Sequence, residues 1–353
     1  MPQAWSEMPP ALPHATAADR AAAAEMIREG SKSFHAASLV LPRRVREPAY
    51  ALYAFCRLAD DAVDLGTDRH AAERLLTRLD WIYAGHPAGH AADRAFADTV
   101  RAHAIPRALP AALIEGLAWD TQGRRYHSLA DLEDYAARVA GTVGAMMTLI
   151  MGRRDAATLA RATDLGTAMQ LSNIARDIGE DARAGRIYLP LDWFAEEGLE
   201  PEAFLADPRP SPATARMTAR LLDRAETLYD RARPGIAALP ADCRSAIAAA
   251  RLLYREIGRT VAARGHDGIT ARAVVGPGRK AALLARALAA TPMPVLRPAD
   301  GPALPANRFL LEAVEAAMAP GAEARRGIGI GRALDIFVTA SMHDRPPRRL
   351  ARS

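Results

Sequence analysis

The sequence predicts an all-α fold, and three observations carry that prediction. Alanine, leucine and arginine dominate the 353 residues, while aromatics make up only 5% and β-branched residues are sparse; the dominant types lose little freedom in a helix. The apolar/polar alternation of half-buried strands is missing, which argues against a parallel sheet and a dinucleotide fold. From about Ala17 to Ala290 the chain instead reads as consecutive helices, with breaks expected at Pro42, Pro48, Pro87, Pro106, Pro110, Pro190 and Pro240.

Taken in order, residues 1–16 are proline-bearing and lack an apolar h-region, so they read as a flexible N-terminal tail without a secretory signal. Residues 17–290 read as the helical catalytic body. Residues 291–353 begin with a proline-rich linker, TPMPVLRPADGPALP, continue into one helix near Phe309 to Ala319, and finish in a basic tail, DRPPRRLARS. Gly327, Gly329 and Gly331 form a GIGIG run, but no strand precedes it and no GK[ST] follows, so it reads as a turn and not as a phosphate loop.

Composition excludes several function classes. No apolar run reaches about 18 residues, so no conventional membrane span is expected. Cys56 and Cys243 sit in helical patterns without metal-like spacing, as in a reducing cytoplasmic compartment. A formal charge of +5 and a pI near 9.5 fit attraction to anionic substrates or membrane surfaces. Scattered basic residues and the absence of a known module argue against nucleic acid.

The chemistry lies in two aspartate clusters, Asp60-Asp61-Ala62-Val63-Asp64 and Asp177-Ile178-Gly179-Glu180-Asp181. Carboxylates at i and i+4 stand on one helix face about 6 Å apart along the axis and repel unless a cation intervenes. On a helical wheel Tyr53, Cys56, Arg57, Asp60 and Asp64 share one stripe. Gly166, Gln170, Asn173, Asp177 and Asp181 share another, inside a shell of Leu165, Met169, Leu171, Ile174, Ala175 and Ile178. A solvent face would carry compensating Lys and Glu pairs; amides and aspartates describe an interior polar lining. Because magnesium is usually held by one or two carboxylates plus substrate phosphates, two such helices facing each other would form a diphosphate trap.

The runs SKSFHAASLVLP (Ser31 to Pro42), YALYAFCRLADDAVD (Tyr50 to Asp64), RVAGTVG (Arg138 to Gly144) and QLSNIARDIGEDARAGRIYLP (Gln170 to Pro190) resemble, in order and spacing, the squalene/phytoene synthase family. The resemblance covers roughly Ala17 to Leu284 and looks most like the bacterial phytoene synthases. It implies the isoprenoid (terpenoid) synthase helical fold with a central active-site cavity. It further implies head-to-head condensation of two geranylgeranyl diphosphates through a cyclopropyl intermediate to phytoene. Mg²⁺ or Mn²⁺ would be held by Asp60, Asp64, Asp177 and Asp181, and no NADPH would be needed.

Position by position, the resemblance also assigns substrate contacts to Ser31, Ser33, Phe34, Arg57, Gln170, Asn173, Arg186, Tyr254 and Arg272, with Asp61 and Glu180 in support. Some residues keep two readings: Ser31 as an anion donor or a helix cap, Phe34 as pocket wall or core, Arg57 as phosphate ligand or counter-charge. Ala140 to Gly144 reads as a prenyl groove or as close helix packing. Cation-shielding rings are expected among Phe34, Tyr53, Phe55 and Tyr254. Gly30 stands where many relatives carry histidine, and Ala137 where many carry tyrosine, so Tyr135 or another ring is expected to substitute. The competing readings are a squalene or dehydrosqualene synthase using farnesyl diphosphate, and an inactive binding protein of the same fold. A lipid-soluble product implies a cytoplasmic enzyme, peripheral on the inner membrane face through a tail such as Arg345 to Arg352, with contact to downstream carotenoid enzymes.

Overall fold

Asp155 ends a loop and its carboxylate accepts the backbone N–H of Thr158 at 2.9 Å, starting the longest helix of the protein among the described residues. The computed structural model describes residues 13–64, 70–87, 89–289 and 301–319, save the side chains of Lys32, Ser33 and Asp64. The helices in chain order are α1 (Ala17–Gly30), α2 (Lys32–Ser38), α3 (Arg43–Asp64), α4 (Ala71–Tyr83), α5 (Ala91–Ala102), α6 (Ala108–Thr121) and α7 (Leu129–Ala136). A π-helical turn (Ala137–Gly141) leads into α8 (Thr142–Ile150), followed by α9 (Ala156–Arg183), α10 (Leu191–Glu196), α11 (Pro201–Ala206), α12 (Pro212–Ala238), α13 (Ala241–Ala263), α14 (Pro277–Ala289) and α15 (Arg308–Met318). Among the described residues there is no strand.

Local signals explain the starts. Thr16 with Asp19, Ser128 with Asp131 and Ser211 with Thr214 form reciprocal capping boxes at α1, α7 and α12. Pro212 occupies the first turn of α12, where its missing N–H has no intrahelical use. Two expected breaks are absent. Pro110 lies in the first turn of α6, where the orphan N–H is tolerated. Pro48 lies inside α3; the lost hydrogen bond is offset by burial of the flanking Val45, Ala49 and Leu52.

Two apolar clusters divide the interior. One gathers α9, α12, α13 and the chain from Ile187 to Phe194. The other gathers α3 to α6, α8 and α15. The expected helix near Phe309 is α15, and its Leu310 and Val314 are fully buried there. The aspartate stripe of α3 thus rises from one cluster and that of α9 from the other. Val139 touches both.

Helices approach closely where glycine allows it. A Cβ on Gly166 of α9 would lie 2.3 Å from the carbonyl oxygen of Ala140, and one on Gly144 would lie 2.4 Å from that of Ala162. The glycines of the Ala140 to Gly144 run therefore serve helix packing, and Gly166 belongs to that contact and not to the polar lining. Gly166→Ala is expected to destabilise the protein by about 3 kcal/mol, since backbone must move on one side or the other. Urea unfolding checks this, and an unchanged midpoint would mean that α9 and the π-turn are not in contact.

Candidate active site

Gln170, Asn173, Asp177 and Asp181 are half-buried on α9, while Leu171, Ile174, Ala175 and Ile178 beside them are buried. Asp177 is the hub. Its Oδ1 accepts from Arg176 Nε at 2.8 Å and lies 3.1 Å from Arg272 Nε, and Arg272 also reaches Glu180 at 3.4 Å. Arg272 is placed by a loop pinned to the helix: Gly179 N–H donates to Gly268 O at 3.0 Å and Arg183 donates to Ile269 O at 2.9 Å. A side chain on Gly179 would meet Ile269 O at 2.2 Å, so glycine is what lets this loop dock.

Electrostatics single out Asp181. Burial first, then the negative charges of Asp177, Asp120 and Glu180, push its carboxyl up to about 7, while Arg186 pulls it down. Arg186 N–H donates to Asp181 O at 2.8 Å. Ile174, Ile178, Asp181, Arg186 and Tyr188 line one pocket, which joins a carboxylate and a cation to apolar walls. Asn173 donates weakly to Gln170 at 3.5 Å, and its buried Oδ1 has no hydrogen-bond partner among the described residues.

On α3, Arg57 lies 2.7 Å from Asp61 and 3.6 Å from Asp60, so in this state it balances the acidic cluster. The link between the two aspartate helices runs through rings. Tyr254 is buried, which raises its pKa; Arg176, Tyr53 and Arg272 lie within its field, and the Ser31 hydroxyl lies beside it. Its ring packs on Phe34 at 5.1 Å. Ser31 caps α2 by accepting Phe34 N–H at 3.3 Å, so the cap reading holds while the hydroxyl stays beside Tyr254. A Cβ at Gly30 would lie 2.3 Å from the Tyr53 hydroxyl; Tyr53 thus fills the space beside the position where histidine was expected. Phe55 is not available to shield a cation, because it stacks on Phe96 at 4.2 Å inside the core. The side chains of Ser33 and Asp64 lie outside the described residues.

Sequence reasoning missed Arg176, Asp120 and Tyr188. Asp120 accepts from Tyr135 at 2.8 Å and Tyr188 at 2.7 Å, and it adds negative charge near Asp181. Its one legible signal is a second carboxylate, after Glu115, at the end of the largely apolar stretch LIEGLAW of α6. Ala137 is fully buried. Tyr135 is turned to Asp120.

Among the described residues no three His, Cys, Asp or Glu side chains converge into a metal shell. The donors nevertheless suit a hard cation that takes the rest of its ligands from phosphate and water: a carboxylate whose burial and like-charged neighbours resist its ionisation, and a buried amide oxygen with no partner among the described residues.

Residues 27–279 match the squalene/phytoene synthase family model. The chain is 56% identical over 279 residues to a phytoene synthase of Rhodobacter capsulatus, spanning 78% of this chain and 82% of that one. It is 54% identical over 267 residues to a phytoene synthase of Cereibacter sphaeroides, spanning 72% and 75%. A dehydrosqualene synthase solved in complex with a ligand matches with a TM-score of 0.71 at 30% identity, over 77% of this chain and 96% of that one. With its all-α isoprenoid synthase fold and its paired aspartate helices, the chain belongs to the squalene/phytoene synthase family.

Proposed function

We propose that this protein is a phytoene synthase, joining two geranylgeranyl diphosphates head to head in the first committed step of carotenoid biosynthesis. The observation that carries the reading is the α9 face, where Asn173, Asp177 and Asp181 stand among Arg176, Arg186 and Arg272 in a chain whose matched stretch is more than half identical to named phytoene synthases. Asp60, Asp64, Asp177 and Asp181, with the Asn173 oxygen, would hold Mg²⁺ or Mn²⁺, which when bound supplies positive charge to the departing diphosphate.

The chain's own residues do the rest. Arg176 and Arg272, with Arg57 and Arg186, are the guanidiniums that would turn from their carboxylate partners to phosphate oxygens. Phe34, Tyr53 and Tyr254 present ring faces to an allylic cation, and Ile174 and Ile178 keep water from it. Loss of diphosphate from one substrate gives that cation. Attack by the other substrate's double bond with loss of a proton gives the cyclopropyl diphosphate; the second ionisation, rearrangement and proton loss give phytoene. No hydride enters, so NADPH is not required.

Among the described residues no helix is long and apolar enough to cross a membrane. Peripheral attachment to the inner face, and contact there with downstream carotenoid enzymes, belong to the same proposal. Leu39 and Leu288 are 56% and 49% exposed beside the buried cluster of Ala37, Ala249 and Ala287, and α14 carries Lys280 and Arg286. The basic tail from Arg345 to Arg352 and the GIGIG run lie outside the described residues.

Purified protein incubated with geranylgeranyl diphosphate and Mg²⁺, with and without NADPH, is expected to give a C40 hydrocarbon in both cases, read by mass. A C30 product obtained only from farnesyl diphosphate would instead support a squalene or dehydrosqualene synthase, and NADPH dependence would choose between them. An inactive binding protein would give neither product.

A further inference from the structure

Residues 301–318 lie beyond the stretch that matches the family, yet they are built into the back of the site. Pro302 O accepts from Arg161 Nη2 at 3.1 Å and from Arg231 Nη2 at 2.9 Å. Both arginines hold Asp164, whose side chain is fully buried, at 3.1 Å. Asn307 is also fully buried, and its Oδ1 accepts from Thr167 at 3.4 Å. Arg161, Asp164 and Thr167 therefore give α9 one continuous face toward this segment.

The same segment grips the π-turn. A Cβ on Gly141 would lie 3.1 Å from Asn307 Oδ1 and 3.3 Å from Leu310 Cδ1. The Arg138 guanidinium lies between two rings, 4.9 Å from the Phe309 centroid and 4.4 Å from that of Trp119. A π-turn is an uncommon, poorly self-supporting conformation found mostly at functional sites, and here Ala140 O is pressed onto Gly166 of the polar helix. Continuing from the turn, Val139, Ala140, Val143 and Met147 recur at helical spacing and are only half-buried, so they present an apolar strip along α8.

We propose that residues 301–318 act as a strap that holds the π-turn in register and thereby sets the wall met by the prenyl chain, with Asn307 and Phe309 as positioning residues for chain-length selection. The chain-length half rests on the phytoene synthase reading; the mechanical half does not.

Full-length Asn307→Ala and Phe309→Ala, with Phe309→Tyr as the ring-retaining variant, test both halves. In the two alanine variants amide exchange across residues 137–142 is expected to quicken by about 10-fold or more. Their ratio of kcat/KM for the C20 over the C15 diphosphate is expected to shift about 5-fold or more, with affinity for Mg²⁺ and inorganic pyrophosphate held within about 2-fold. Phe309→Tyr is expected to match the wild type in all three. Unchanged exchange in a folded variant overturns the strap, and quickened exchange with a fixed substrate ratio overturns its role in selection. If Asn307→Ala does not fold, the half-buried Phe309 site decides. A wild type inactive on both substrates defeats the proposed function instead, and exchange alone then judges the strap.

Discussion

Asp177→Ala is expected to lower turnover by about 10³-fold, because the residue is both a metal-ligand candidate and the anchor of Arg176 and Arg272. The loss has a signature beyond activity. With the carboxylate gone, Arg176 loses its partner and Arg272 keeps only the half-exposed Glu180 at 3.4 Å, so more positive charge faces the site. Metal-free affinity for inorganic pyrophosphate is therefore expected to rise several-fold while the Mg²⁺-dependent component disappears. Calorimetry with and without Mg²⁺ checks this, and a variant that lost both components equally would mean that Asp177 acts only through folding.

Asp181→Asn is expected to abolish product formation and yet stabilise the protein. In the folded state burial and the neighbouring acids oppose the charge of the carboxyl and push it up to about 7 from the ordinary carboxylate value of 3.8. A raised folded pKa means that the native state holds the proton more tightly than the unfolded chain does. The group is neutral in both states below about pH 4, and it costs increasing stability as pH rises from there to about 7. At about 1.4 kcal/mol per pKa unit the limit is roughly 4 kcal/mol, with relaxation of the site leaving about 1–3 kcal/mol. Asn removes the charge, so the metal-free variant is expected to melt about 2–4 °C higher than wild type at pH 8 and at nearly the same temperature at pH 4. Wild-type affinity for Mg²⁺ is expected to fall as pH drops through about 7, where a proton competes for the same oxygens. Scanning calorimetry at the two pH values checks the stability claim; a lower melting temperature at pH 8 would mean that Asp181 is structurally satisfied and not held against its neighbours.

Such a trade of stability for function accounts for what the sequence could show. The α9 stripe was legible because i, i+3 and i+4 spacing is local, and an amide-and-aspartate face is odd enough to notice. Local spacing cannot reveal which residues fold over that stripe. Arg176 sits off it yet turns back onto Asp177, and Arg272 arrives from a loop that depends on Gly179 and Gly268. Asp120 acts on Asp181 from a separate helix, and nothing near either residue in the chain announces the other. Phe55 and Tyr53 are two residues apart on α3; alternation of faces puts one in the core and the other over Gly30, a distinction only the packing decides. Proline was read too strongly as a breaker at Pro48 and Pro110, where helix position and flanking burial outweigh it. The docking of α15 onto the π-turn rests on Asn307 and Gly141, a contact between distant segments with no pattern in either.

The account stands on the aspartates of α3 and α9 serving one diphosphate site, and a double-mutant cycle on Mg²⁺-dependent binding of inorganic pyrophosphate measures that most directly. Asp60→Ala and Asp177→Ala are each expected to remove most of the metal-dependent affinity, and the double variant to lose little more, giving a coupling of at least about 1 kcal/mol. Losses that simply add would contradict a shared site and return the two clusters to separate roles.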